Sequence, residues 1–182
     1  MKVVALIISA GWVLFWLYWL MASFGVKSGT SAWRRGALIR VVILVVVLVL
    51  VRTRALHGVG VNSNPWLGGV GLALFLLGLA LALWARVQIG RNWGMPMTRK
   101  TDPELVTTGP YRTVRHPIYS GILLAMIGTG VAVSVYWLVL AVLIGGYFIY
   151  SASQEERYMT ERFPDTYPAY KRSTKMLVPF IL

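Results

Sequence analysis

Between Ile118 and Tyr150 the chain runs 33 residues without one charged side chain. One crossing of a bilayer takes about 20 apolar residues, so the run is too long for one helix and about right for two. It predicts a tight helical hairpin turning near Val133 to Tyr136. A 182-residue chain with 57% hydrophobic residues and a mean hydropathy of +0.66 cannot hide such runs in a water-soluble core. The solvent for most of this chain is lipid.

Three further apolar runs support that reading: Val3 to Phe24, Ala37 to Val51 and Trp66 to Gln88. The second is rich in β-branched residues, but an isolated strand leaves its backbone unpaired in lipid, so it too is expected to be helical. The expected fold is an all-α integral membrane protein with about five transmembrane helices, two of them the hairpin. The first run is long and lacks a clear small-residue cleavage signal, which favours a retained helix over a signal peptide. Small residues recur at helical spacing in two places, Gly71, Gly78, Ala82 and Ala85, then Gly121, Ala125, Gly128 and Ala132. Such stripes let helices approach closely, so the third helix and the first arm of the hairpin are natural partners. Residues 1–182 form a single membrane domain on this reading, with 1–65 a two-helix anchor and 66–182 the catalytic core.

The net charge of +12 suggests nucleic acid only where a soluble basic face exists; here the cations lie between apolar runs, where anionic headgroups explain them. No nucleic-acid partner is expected. In the five-helix layout 15 of the lysines and arginines fall on one side and 3 (Lys2, Arg52, Arg54) on the other. The bias places the C-terminus in the cytoplasm and the N-terminus outside. All six acidic residues and His116 fall on the cytoplasmic side. Cysteine is absent, which excludes thiolate chemistry. His57 and His116, expected on opposite sides, make a metal site improbable.

Two segments on the cytoplasmic face carry the residues capable of chemistry. The first, Gly109 to Gly121, lies in the long connection from Ile89 to Pro117, longer than a passive tether needs. Residues before proline are pushed out of the helical region, so Gly109-Pro110 and His116-Pro117 bracket a constrained loop. Pro117 suits a first helical turn, whose free N–H groups favour anions. Arg112 and Arg115 add permanent charge. The second segment, Gln154 to Arg172, holds the only paired acids, Glu155 and Glu156, with Tyr167, Tyr170 and Arg172 beyond them. Residue types alone leave two readings open for both segments: headgroup-facing interface residues, or carboxylates and arginines placed to hold a ribose diol or a cationic group.

GPYRTVRHPIYSG after LVTT, a Glu pair some 35 residues later, then F-x-x-x-Y-x-x-Y-K and a terminal V-P-F resemble the isoprenylcysteine carboxyl methyltransferase and phospholipid methyltransferase superfamily. The likeness runs from about Gln88 to Phe180 and takes in Gly90 to Trp93. It implies a membrane-embedded enzyme that uses S-adenosylmethionine on the cytosolic side and admits a lipophilic acceptor from the bilayer. By motif position His116, Pro117 and Tyr119, with Arg115 beside them, contact the cofactor, and Glu155 or Glu156 accepts from its ribose or amino group. Arg112 and Arg172 orient the reactants, and Tyr111, Tyr167 and Tyr170 wall the acceptor site. Members acting on prenylcysteine carboxylates often carry an arginine just before the acidic pair, where this chain has Tyr150-Ser151-Ala152-Ser153, and the usual histidine before Leu-Val is replaced by Asp102-Pro103-Glu104.

Methyl transfer from a sulfonium is an in-line displacement that needs donor and acceptor about 3 Å apart. A carboxylate acceptor needs no base; an amine or thiol must lose a proton, and histidine, which ordinarily titrates near neutrality, makes His116 the candidate base. The alternative enzyme class is an NADPH-dependent membrane reductase of the sterol-reductase type, whose C-terminal pattern is similar and whose arginines would serve a 2′-phosphate.

Overall fold

The structure is a computed structural model that describes residues 2–22, 29–31, 63–94, 96 and 98–179. In chain order these form α1 (Lys2–Ala22), β1 (Gly29–Ser31), α2 (Pro65–Ile89), β2 (Thr98–Lys100), α3 (Pro117–Ala132), α4 (Tyr136–Arg162) and α5 (Tyr167–Ser173), with 3-10 turns at Gly90–Asn92 and Gly109–Arg112. Among the described residues the regular structure is helical apart from one short antiparallel ribbon, in which Gly29, Thr30 and Ser31 pair with Lys100, Arg99 and Thr98, and an isolated bridge between Val114 and Lys175. Strands of three residues carry too few positions to show a period-two pattern, so the sequence gives no sign of them. The expected helix at Ala37 to Val51, and the loop cations and His57 around it, lie outside the described residues.

Helices α1, α2 and α4 are long and apolar enough to cross a membrane, and α3 is a shorter apolar helix. The chain is an integral membrane protein, as its hydropathy requires. Local chemistry fixes the ends. Asn64 caps α2 by accepting from the Trp66 N–H at 2.9 Å, with Pro65 in the first turn. At the other end Gly90 takes φ +53, a left-handed conformation that ends the helix with its N–H on the Arg86 carbonyl. The hairpin turn between α3 and α4 falls at Val133–Val135, and α4 runs on past the apolar run to Arg162, just before Pro164.

The two small-residue stripes meet. Gly71, Gly78, Ala82 and Ala85 are buried on α2, as are Gly121, Ala125, Gly128 and Ala132 on α3. A Cβ built on Gly121 would sit 2.6 Å from both the Ala82 nitrogen and the Gly78 carbonyl oxygen, so the backbones themselves touch. The helices run antiparallel: Gly71 lies against Gly128 and Ala132, Gly78 against Gly121 and Ala125.

Helix α1 packs on this pair through aromatic and polar contacts. Phe75 fills the space beside Gly11, Trp12 stacks on Trp137, and Trp12 Nε1 donates to Thr129 Oγ1 at 3.1 Å. With Gly11 beside Phe75 and the Ala22 carbonyl beside Arg86, α1 and α2 run in the same direction. The C-terminal ends of α1, α2 and α4 and the N-terminal end of α3 therefore meet at one end of the bundle. All the clustered polar chemistry described below is there.

Candidate functional site

The loop before α3 is strapped by the C-terminal tail. The Arg115 N–H donates to the Lys175 carbonyl at 2.8 Å and the His116 N–H to the Met176 carbonyl at 3.1 Å, while Ser120 Oγ donates to the Leu177 carbonyl at 2.5 Å. Leu177 is buried in the core. Pro117 is the buried first residue of α3, and the non-helical backbone of His116 before it turns the imidazole toward α4. Behind the loop Gly109 adopts φ +60 and Tyr111 is buried, its hydroxyl 3.4 Å from the Ala85 carbonyl. Tyr170 of α5 donates to the Tyr111 carbonyl at 2.6 Å.

Adjacent on a helix, Glu155 and Glu156 point about 100° apart and meet different partners. Glu156, 2% exposed, accepts from Arg115 Nε at 2.6 Å and pairs with Lys171 Nζ at 2.8 Å. Arg115 also donates through Nη1 to the Lys171 carbonyl at 3.1 Å and to the Thr174 carbonyl. This cluster ties α4 to α5 and the loop. Glu155 instead accepts from the Tyr119 hydroxyl at 2.7 Å and from Ser151 Oγ at 3.1 Å. His116 lies between the carboxylates, Nδ1 3.5 Å from Glu155 and Nε2 3.5 Å from Glu156. Its ring is parallel to that of Tyr119, which in turn stacks on Phe148 at 4.2 Å.

A cavity of about 170 Å³ opens beside this group. Glu155, His116, Arg115 and Tyr119 line it, with Trp93, Glu104 and Tyr158 also on its wall. Tyr111, Tyr167 and Tyr170 also reach its wall. Burial pushes the Tyr170 phenol up to about 12 against the pull of Arg115, and raises Tyr111 and Tyr167 too, so all three remain neutral at physiological pH. Among the described residues no group of three or more His, Asp or Glu side chains could hold a metal ion.

Nine of the eleven residues singled out from the sequence gather at this end: Tyr111, Arg115, His116, Tyr119, Glu155, Tyr167 and Tyr170 on the cavity, with Pro117 and Glu156 directly behind. Arg112 and Arg172 stand at the same end, beside Tyr111 and Lys171, but both are exposed and neither lines the cavity. The sequence patterns take in Lys171, Ser151 and Trp93 but give none of them a role at the site. Ser151 was legible, since it stands four residues before Glu155 on one helix, a spacing at which side chains touch.

A membrane-embedded helical bundle with a cavity at one end, its aromatic and acidic walls supplied by a proline-bracketed loop and the C-terminal part of α4, is the class that fold and site define. The sequence pattern described as phospholipid methyltransferase matches residues 67–166, more than half of the chain. The chain belongs to that family. Relatives include protein-S-isoprenylcysteine O-methyltransferase B of Arabidopsis thaliana, 30% identical over 126 residues, covering 67% of this chain and 64% of the relative. Methanethiol S-methyltransferase of Pseudomonas sp. (strain GM41(2012)) is 32% identical over 126 residues, 64% of this chain and 48% of the relative. The match thus spans less than two thirds of either relative's own length. A solved eukaryotic intramembrane Ras methyltransferase, isoprenylcysteine carboxyl methyltransferase, shares the fold with a TM-score of 0.58 at 24% identity, over 84% of this chain and 55% of that one. Nothing in these matches supports the reductase alternative.

Proposed function

We propose that this chain is a methyltransferase that takes its methyl group from S-adenosylmethionine and passes it to a lipophilic acceptor reaching the cavity from the bilayer. The observation that carries the reading is the placement of Glu155, His116 and Tyr119 on the cavity wall, within a chain of the phospholipid methyltransferase family. The residues present fit such a cofactor. A carboxylate held by Tyr119 and Ser151 suits a ribose diol or an amino group, and the aromatic rings of Trp93 and Tyr158 on the cavity suit an adenine ring or a sulfonium. When bound, S-adenosylmethionine supplies an electrophilic methyl group.

The chain's own groups divide the remaining work. Glu155 binds the cofactor, while Glu156 holds Arg115, the loop and α5 in place. His116, braced from both ring edges by carboxylates, orients the reactants and takes the proton if the acceptor is an amine or thiol; a carboxylate acceptor needs no such step. Pro117 sets the turn that aims His116. Tyr111, Tyr167 and Tyr170 shape the wall on which the acceptor lies. Arg112 and Arg172, exposed and away from the cavity, serve the anionic headgroup surface. On the charge bias this end faces the cytoplasm, with the N-terminus outside.

A ligand that binds only the native state raises stability by an amount set by its concentration and affinity, about 2.7 kcal/mol at a hundredfold excess over Kd. Protein purified in detergent is predicted to gain thermal stability with S-adenosylmethionine or its homocysteine product and none with NADPH. A shift with NADPH alone, or with neither ligand, would overturn the reading.

A further inference from the structure

Arg86 stands near the end of α2 and is only 6% exposed in an otherwise apolar setting. Burying a guanidinium is costly unless its donors find acceptors. Two of them do. Nη1 donates to the Gly90 carbonyl at 2.8 Å, and Nη2 to the Ala22 carbonyl at 2.5 Å, so one planar group caps the C-terminal carbonyls of both α2 and α1. Its Nε, also buried, has no hydrogen-bond partner among the described residues. Capping one helix end needs neither this burial nor a second helix.

The central carbon of the same guanidinium lies over the Trp93 ring, 4.9 Å from its centroid. Trp19, on the last turns of α1, meets Trp93 edge-on at 5.6 Å with the rings perpendicular. Trp93 is part of the cavity wall, whereas neither Arg86 nor Trp19 touches the cavity. We infer that Arg86 and Trp19 are positioning residues that clamp the Trp93 wall of the cofactor cavity, which makes α1 part of the binding unit and not a detachable anchor. Planarity matters: an arginine fork can take two carbonyls in its plane and a ring on its face at once, and a lysine cannot. The Trp12–Thr129 hydrogen bond and the packing of Phe75 beside Gly11 fix α1 along its length, so Trp19 arrives at Trp93 from a braced helix.

The inference rests on the methyl-donor reading of the cavity. Its test is equilibrium binding of radiolabelled S-adenosylmethionine to the full chain in detergent, comparing wild type with Arg86→Lys, Trp19→Leu, Trp19→Phe and Trp93→Leu. Cation–π and edge-to-face contacts are each worth enough to predict a loss of affinity of about threefold to tenfold for Arg86→Lys and for Trp19→Leu. Trp19→Phe, which keeps a ring edge, restores most of it. Because both residues act through one ring, adding either change to Trp93→Leu costs no further affinity. A purely structural clamp would lower the unfolding temperature and leave affinity unchanged. Folded variants that bind like wild type, or losses that add fully to that of Trp93→Leu, overturn the assignment alone. Wild type that fails to bind overturns the methyl-donor reading and the assignment with it.

Discussion

Removing Glu156 strands one buried cation and leaves a half-exposed one to water. Arg115, whose side chain is 8% exposed, loses the carboxylate on its Nε, and Lys171 loses the same partner. Breaking a buried pair from one side typically costs about 3–5 kcal/mol, so Glu156→Ala is predicted to lower stability on that scale in a detergent unfolding assay, with Arg112→Ala as an exposed control that moves it by less than about 0.5 kcal/mol. Glu155→Gln should behave in the opposite way. The amide oxygen can still accept from Tyr119 and Ser151, so the fold survives, while the charge facing the cavity is gone and affinity for S-adenosylmethionine falls. Equal cofactor affinity in Glu155→Gln and wild type would refute that division of labour. The Glu pair was conspicuous in the sequence, but its division was not. Which glutamate faces Lys171 and which faces Tyr119 depends on the rotation of α4 and the position of α5. The brackets Gly109-Pro110 and His116-Pro117 were legible because proline restricts the backbone locally, whereas the exposure of Arg112 and Arg172 outside the cavity depends on tertiary packing that the sequence does not show.

At the scale of elements, the stripes on α2 and α3 were readable because glycine and alanine at helical spacing report a close approach without any knowledge of the partner. The contact is backbone to backbone, so a large side chain has nowhere to go. Gly78→Leu or Gly121→Leu is predicted to wedge the two helices apart and destabilise the protein by about 1–3 kcal/mol or more, the usual cost of overpacking. Gly146→Leu, on α4 with open space around its Cβ position, is the matched control and should leave the unfolding transition in place. The hairpin was equally legible, since a charge-free run of that length admits few alternatives. The ribbon between β1 and β2 was not. It joins segments some 70 residues apart, and neither is long enough to announce itself.

For the whole molecule, the notable result is how many chain ends converge on the cavity. The loop before α3, the end of α4, α5 and the C-terminal strap all meet there, and α1 reaches it through Arg86, Trp19 and Trp93. The sequence suggests one membrane domain with residues 1–65 as its anchor, because the first two apolar runs carry no family signal. If α1 braces Trp93 as inferred above, a chain lacking α1 is predicted to lose cofactor binding along with stability. The central claim is that this cavity delivers a methyl group from S-adenosylmethionine to a lipophilic acceptor. Its most direct measurement is transfer of radiolabelled methyl into organic-extractable product, with purified protein and a total membrane extract as acceptor. Wild type is predicted to place label in an apolar product, and Glu155→Gln at least about tenfold less, the loss expected if one charge-assisted contact to the donor is removed. Folded wild-type protein that moves no label, or a Glu155→Gln variant that moves as much, would contradict it.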